Sequence, residues 1–236
     1  MNGNGDRQWE RIGFAAGIAW VVLLVIGNLV QTAPPNAGDS VQKVTSYFMD
    51  HRSAILLGQF LVGLGAIVFV FFLVALASYL RRADGTLRIL PAAIVGAGVW
   101  TLAVGIVDGS ITSALAYGVA KEGGPAVVHA FWRLFVVAAT WRGYTVAALF
   151  AAIAAAALRT RAVPRWVGVT AAVLGLAQVV RPLGLFASSG PLEPLGAFST
   201  ISFLLDGVWV LAVSILFLRR SAAASAMGNM AATARG

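Results

Sequence analysis

The chain has 236 residues, of which 59% are hydrophobic and only 11% are charged. Because soluble domains carry about 25% charged residues, this composition excludes a soluble globular domain and indicates a polytopic membrane protein. The net charge of +8 would suggest nucleic-acid binding in a soluble chain, but most Lys and Arg residues here lie in short segments between apolar runs, so we expect no nucleic-acid partner.

Six apolar runs are each long enough to cross about 30 Å of hydrocarbon as a helix. They cover residues 12–30, 53–80, 89–117, 127–158, 166–186 and 195–218. The sequence therefore predicts an all-α fold in which residues 12–220 form a single six-helix transmembrane domain. Residues 1–11 are predicted to form a cytoplasmic N-terminal tail. Residues 221–236 have no apolar periodicity and are predicted to form a disordered cytoplasmic tail.

The connector between the first and second spans, residues 33–52, is the most polar in the chain. Asp39 and Ser40 can cap a short helix at its N-terminus. Four apolar residues then recur at spacings of three and four and share one helical face: Val41, Val44, Tyr47 and Phe48. This pattern predicts a short amphipathic helix on the outer membrane surface.

The basic residues are distributed unequally between the two sides of the predicted bundle. Six spans place both termini on one side, and the segments on that side carry Arg7, Arg11, Arg81, Arg82, Arg88, Arg159, Arg161, Arg165, Arg219, Arg220 and Arg235. The opposite side carries Lys43, Arg52 and Lys121. The positive-inside rule therefore predicts cytoplasmic termini and a multi-pass protein of the bacterial cytoplasmic (inner) membrane.

Charged side chains also lie within the predicted spans: Asp108, Arg133, Arg142, Arg181 and Asp206. Each charge at a helix centre costs about 2.5–3.5 kcal/mol, so such residues normally form ion pairs, line water or hold a ligand. At a helical rise of about 1.5 Å per residue, they gather in the middle and outer half of the membrane. We therefore expect an outward-facing polar cavity where the third to sixth spans meet.

Two interpretations of these charges stay open. They can form structural ion pairs, Arg142 with Asp206, and Arg133 or Arg181 with Asp108. Alternatively, the excess of one arginine over the two aspartates leaves a positive charge that binds the anionic end of an amphiphile. Helical spacing places His129 and Arg133 on one face, and Arg133 and Arg142 on opposite faces. It also aligns Asp206 with Phe203 and Trp209.

The predicted ligand-binding residues combine these charges with nearby aromatic side chains. They are Arg133, Arg142, Arg181, His129, Trp141, Trp209, Phe135 and Phe203. We expect no metal and no cofactor, because the chain has no cysteine, only two histidines and no acidic cluster. Motifs of phosphate loops, nucleophile elbows and zinc proteases are also missing from the sequence.

Three stretches together resemble a large group of small bacterial polytopic proteins of unknown function from high-GC genomes. They are Tyr47-Phe48-Met49-Asp50-His51-Arg52, Val163-Pro164-Arg165-Trp166-Val167-Gly168, and the Arg219-Arg220 ending. The likeness extends from about Arg11 to Arg220. In size and style the chain is also similar to integral-membrane terpene cyclases, and this resemblance implies Asp108 and Asp206 as candidate catalytic acids.

The sequence thus supports three hypotheses for function. In the first, the cavity binds an anionic or isoprenoid-like amphiphile, and the partners are membrane lipids and this small molecule. In the second, an intramembrane Asp acts as a general acid on an apolar substrate. In the third, the same acids serve a proton-linked small-molecule transporter, which would expose them to the two membrane surfaces in turn.

Overall fold

The structure, a computed structural model, describes residues 3–87, 89–160, 163–187 and 189–233, with side chains described between residues 8 and 220. The described residues form seven main helices and no strand. The helices are α1 (Gly3–Gln31), α2 (Val41–Asp50), α3 (Arg52–Ala83), α4 (Leu90–Ala114), α5 (Gly124–Arg159), α6 (Arg165–Val180) and α7 (Ala197–Thr233). A π-helical turn (Leu115–Val119) and a short helix (Ala120–Glu122) extend α4, and a 3-10 helix (Arg181–Phe186) extends α6.

Six of these helical segments are long and apolar enough to cross a membrane. They cover Gln8–Gln31, Arg52–Ala83, Leu90–Glu122, Gly124–Arg159, Arg165–Phe186 and Ala197–Arg220. The predicted all-α fold with six spans is therefore confirmed, and the chain is a multi-pass membrane protein by the length and composition of its helices.

Both terminal helices extend beyond their predicted ends. Helix α1 begins at Gly3, within the segment predicted as a polar tail. Helix α7 continues to Thr233, through most of the segment predicted to be disordered, and residues 234–236 lie outside the described residues. The physical reason is that adding residues to an existing helix is far easier than nucleating one, and the Ala-rich segment contains no proline to stop it.

The short helix α2 forms where the sequence predicts it, and its apolar face packs against the protein itself. Ser40 caps it, since Ser40 Oγ accepts a hydrogen bond from the Lys43 N–H at 3.4 Å. Val44 and Phe48 are fully buried. Their partners are the ends of α3, α4 and α5, in a group that we call the cap cluster: Val44, Phe48, Ile55, Leu115, Val128 and Trp132.

The cap cluster packs at the ends of two helices that are longer than the hydrocarbon of a bilayer is thick. Helices α3 and α5 have 32 and 36 residues, or about 48 and 54 Å at 1.5 Å per residue, against a hydrocarbon thickness of about 30 Å. Both end in arginines at the same side, Arg82 and Arg159. Helix α2 packs at the opposite ends of these two helices.

A second and larger group of buried side chains fills the space between the spans. This membrane cluster includes Phe14, Phe72, Leu73, Phe150, Trp209 and Phe217. Helices α1 and α3 approach closely at Gly27 and Gly58, because a Cβ atom on Gly58 would lie 2.5 Å from the Gly27 carbonyl oxygen. On the basic side, Arg82 forms an ion pair with the buried Glu10 and joins the same two helices.

Candidate functional site

A cavity of about 520 Å³ lies between α1, α3, α4, α5, α7 and the start of the 3-10 helix. Part of its wall is apolar and aromatic: Phe69, Phe72, Leu149, Phe150, Ile153 and Trp209. The other part is polar: Gln59, Ser110, Ser113, Arg142, Arg181 and Asp206. A cavity of this size and mixed lining is typical of small-molecule sites.

Arg142 is held on the edge of this cavity by an ion pair with Asp108. Its Nη1 lies 3.3 Å from Asp108 Oδ2, and Asp108 is almost fully buried. The sequence predicted Asp206 as the partner of Arg142, which the structure does not bear out. Helix α5 packs against α4 and α6, whereas α7 packs against α1 and α6, so Asp108 on α4 is the carboxylate beside Arg142.

Arg181 faces the cavity without an ion pair. Its side chain is buried, with only 6% exposed, and its Nε has no hydrogen-bond partner. Among the described residues, no carboxylate oxygen lies within 4.0 Å of its guanidinium. Arg142, Asp206 and Asp108 are the charges that act on it electrostatically. Arg181 is thus a buried cation whose hydrogen-bonding capacity is partly unused.

The position of Arg181 follows from a local break in the fifth span. Pro182 has no backbone N–H and cannot continue an α-helix, so α6 ends at Val180 and a 3-10 helix follows. Gly143 on α5 allows this break to pack closely, because a Cβ atom there would lie 2.6 Å from the Gln178 carbonyl oxygen. The break therefore directs Arg181 between α5 and α7.

Asp206 on α7 also lines the cavity and has one free oxygen. Its Oδ2 accepts a hydrogen bond of 2.7 Å from Gln178 Nε2, and its Oδ1 has no partner. Phe203 and Trp209 line the cavity on the same helix face, as the helical spacing predicts. Trp209 is fixed by a hydrogen bond of 2.9 Å from its Nε1 to Thr170 Oγ1 on α6.

Four predicted ligand-binding residues lie away from the cavity. Arg133 is exposed, and its Nε donates a hydrogen bond of 3.2 Å to Nε2 of His129, one turn away on α5, which confirms the predicted shared face. Trp141 is exposed and contacts Tyr144 edge to face. Phe135 stacks on Trp132 at the cap cluster. The excess arginine of the sequence is therefore Arg133, and it leaves the cavity charges balanced.

The sequence did not predict several residues that line the cavity. They lie on two helices that carry no charged residue near it. They are Trp20 and Leu24 on α1, and Gln59, Phe60, Phe69 and Phe72 on α3. A usable signal was present, because Gln59 and Gln178 are isolated amide side chains within apolar runs. Such polar residues in spans usually face the protein interior.

The described residues contain no group of three His, Asp or Glu side chains that could hold a metal ion. In comparisons with known proteins, the sequence matches no protein-family model, no curated protein and no solved structure. Function is therefore argued from the cavity and its side chains.

Proposed function

We propose that this protein binds a single-chain amphiphile inside the membrane. The polar head of the ligand lies at Arg142, Arg181 and Asp206, and its tail lies along the aromatic wall. The observation that carries this proposal is Arg181, a buried arginine with an unpartnered Nε, facing a cavity of about 520 Å³. An unpaired cation away from water is costly, so a ligand that supplies an acceptor there gains favourable free energy.

The chemistry of the two arginines favours a head with oxygen acceptors. Guanidinium groups form paired hydrogen bonds with carboxylate or phosphate oxygens. Arg142 and Arg181 come from different elements and both line the cavity. The apolar wall, with Phe72, Phe150 and Trp209, suits a hydrocarbon or isoprenoid tail. An anionic or isoprenoid-like amphiphile therefore fits both parts of the cavity.

The proposed setting is the cytoplasmic membrane of a bacterium, with both termini in the cytoplasm. The arginines at the ends of α3 and α5, Arg82 and Arg159, support this orientation. The cap cluster and α2 would then lie on the outer side. Fusions of green fluorescent protein or alkaline phosphatase to the C-terminus test the orientation. We expect the first fusion to be fluorescent and the second to be enzymatically inactive. The reverse pattern would contradict the proposal.

Native mass spectrometry tests ligand binding with palmitic acid as the probe. In mild detergent, we expect the wild type to carry one palmitic acid per chain. Arg181→Gln should lose this adduct, because the substitution removes the unpaired cation from the cavity. Arg133→Gln is the matched control and should keep it, since Arg133 is exposed and outside the cavity. A wild type that binds neither palmitic acid nor a co-purified amphiphile would reject the proposed function.

A second candidate function is acid catalysis on an apolar substrate. Its support is Asp206, whose Oδ1 has no partner and whose neighbours in the cavity wall include Phe203 and Trp209. Asp108 is less suited, because it is paired with Arg142 and is not part of the cavity lining. An acyclic polyprenyl lipid incubated with the purified protein should then yield a cyclised product, and Asp206→Asn should abolish it. An unchanged lipid with the wild type would exclude this candidate.

A further inference from the structure

The cavity opens sideways, between α3 and α4. Most of its lining residues are buried or half-buried, and the exposed ones are confined to these two helices. They are Phe60 and Gly63 on α3, and Ile106 and Ser110 on α4. Phe60 and Ile106 are each 61% exposed although they line the cavity. We call this gap the lateral opening.

The lateral opening lies between two helices that are long and apolar enough to cross a membrane. Phe60 and Gly63 are eight and eleven residues after Arg52 at the start of α3, which places them about 12 and 17 Å along the helix from that end. The exposed residues around them are apolar: Leu57, Leu64, Ile67 and Val107. A molecule that passes through the opening therefore arrives from the acyl chains of the bilayer and not from water.

Arg142 lies just inside this opening, and Arg181 lines the same cavity. A Cβ atom on Gly105, the neighbour of Ile106, would lie 4.0 Å from Arg142 Nη1. The aromatic wall lies deeper, towards Phe72 and Phe150. A ligand head that reaches Arg142 and Arg181 from the side must cross hydrocarbon first, and a charged head would meet a cost of several kcal/mol there.

From this geometry we infer that the natural ligand is a long-chain carboxylic acid, taken up from the bilayer in its neutral, protonated form through the lateral opening. The inference rests on the proposed binding function and specifies its ligand class and route. A carboxylic acid can cross the acyl region uncharged, whereas a sulfonic acid or a phosphodiester keeps its charge. The acid is therefore the amphiphile that matches both the opening and the arginines.

The charges of the cavity support the same ligand. When all four groups are ionised, the charges of Arg142 and Arg181 are balanced by those of Asp108 and Asp206. A neutral acid therefore leaves the net charge of the cavity at zero, whereas a permanent anion makes it negative. In the complex, the acid keeps its proton and donates it in a hydrogen bond to Asp206 Oδ1, which has no other partner. Its carbonyl oxygen accepts hydrogen bonds from Arg181. No bond other than these hydrogen bonds forms or breaks.

Photolabelling in nanodiscs tests the route, with palmitic acid that carries a diazirine in mid-chain as the probe. We expect wild-type adducts on the deep wall residues Leu149 and Phe150, which are nearly fully buried. Gly63→Phe should reduce these adducts to background while adducts on lipid-facing residues stay, because nothing lies within 4 Å of a Cβ atom at Gly63 and the ring can fill the opening. Gly96→Phe is the matched control, since Gly96 is also exposed on a span with free space around it, and lies outside the cavity.

Competition in the same nanodiscs tests the ligand class. Unlabelled palmitic acid should suppress wall labelling, and hexadecanesulfonic acid should not. Equal competition by both acids, or wall labelling that persists in Gly63→Phe, would overturn the inference. The inference would also be overturned if the wild type gave no adducts on the wall residues. That result is expected if lipid does not enter the cavity, or if a second copy of the chain covers the opening. The palmitic acid adduct seen by native mass spectrometry tests the proposed function separately, because in detergent the ligand can reach the cavity without passing through a bilayer.

Discussion

Arg142 Nη1 and Asp108 Oδ2 lie 3.3 Å apart and join α5 to α4 at the edge of the cavity. The Asp108 side chain is only 5% exposed, and the Arg142 side chain is 26% exposed. The pair therefore neutralises one of the two arginines at the cavity. Arg181 has no such partner, and this difference between two nearby arginines underlies the proposed function.

Breaking this ion pair should destabilise the protein. Asp108→Asn leaves Arg142 without its counter-charge, which typically costs about 3–5 kcal/mol for a buried pair. We expect a clear drop in the free energy of unfolding in detergent, and a similar drop for Arg142→Ala. The double variant Asp108→Asn with Arg142→Gln should recover part of the loss. Arg133→Gln should be close to wild type, because Arg133 is exposed. A fully stable Arg142→Ala would show that the pair is not structurally required.

Alanine substitutions at two glycines of α3 should change the stability of the protein in opposite directions. A Cβ atom at Gly58 would lie 2.3 Å from Gln31 Cγ, so Gly58→Ala forces α1 and α3 apart at a cost of about 1–3 kcal/mol. Gly63 has nothing within 4 Å of a Cβ atom, and Gly63→Ala should stabilise the helix by up to about 1 kcal/mol. Unfolding of both variants in the same detergent measures the difference. Equal stability of the two would contradict the close helix contact.

The hydrogen bond from Trp209 to Thr170 should be needed for a rigid cavity wall. Thr170→Val keeps the side-chain shape but leaves the buried Trp209 Nε1 without an acceptor, at a cost of about 1–3 kcal/mol. We also expect weaker binding of palmitic acid, since Trp209 lines the cavity. Thr200→Val is the control, because the Thr200 hydroxyl donates only to the carbonyl of Gly196, just before α7, and forms no hydrogen bond with another span. A Thr170→Val variant as stable as this control would show that the hydrogen bond contributes nothing.

Helix α2 should lose protection in acid through Asp39. A side-chain hydrogen bond from Lys43 and the backbone N–H of Asn36 hold the pKa of Asp39 below its ordinary value of 3.8. Since the folded pKa is the lower one, the contribution of Asp39 is complete above pH 3.8 and is lost as the pH falls through the folded value. Hydrogen exchange of the α2 amides, corrected for intrinsic rates, should therefore be steady down to about pH 4 and then accelerate.

The matched substitutions for this acid effect are Asp39→Asn and Asp84→Asn. Asp39→Asn should expose the α2 amides already at neutral pH and remove the acid step. Asp84 also has a lowered pKa, through its hydrogen bonds with Thr86, but it lies in the connector between α3 and α4. Its variant should leave α2 unchanged. An acid step in α2 that survives Asp39→Asn would assign the effect to another group.

Much of the fold could be predicted from the sequence, because hydrocarbon thickness sets the length of each apolar run. The six spans and the position of α2 follow from this and from helical spacing, as does the contact of Arg133 with His129. The partner of Arg142 could not be predicted in this way. It depends on which helices are neighbours, and spacing within one helix carries no information about that order.

The cavity was only partly predictable for the same reason. Asp206, Phe203 and Trp209 share a face of one helix, so their spacing identified them. The opposite wall comes from α1 and α3, whose apolar and aromatic residues resemble ordinary packing residues in the sequence. Only the packed structure separates Phe69, which borders the cavity, from Phe71, which is exposed on the same helix.

The cap cluster and the membrane cluster are held together by different forces. In the proposed orientation, α2 lies outside the hydrocarbon and is surrounded by water, so the hydrophobic effect stabilises the burial of Phe48 and Trp132. Between the spans, lipid tails are as apolar as the side chains, and close packing and polar contacts provide the stability instead. Urea and salts therefore act mainly on the cap, whereas the spans respond to the thickness of the bilayer. One small chain thus has two regions with separate environmental sensitivities.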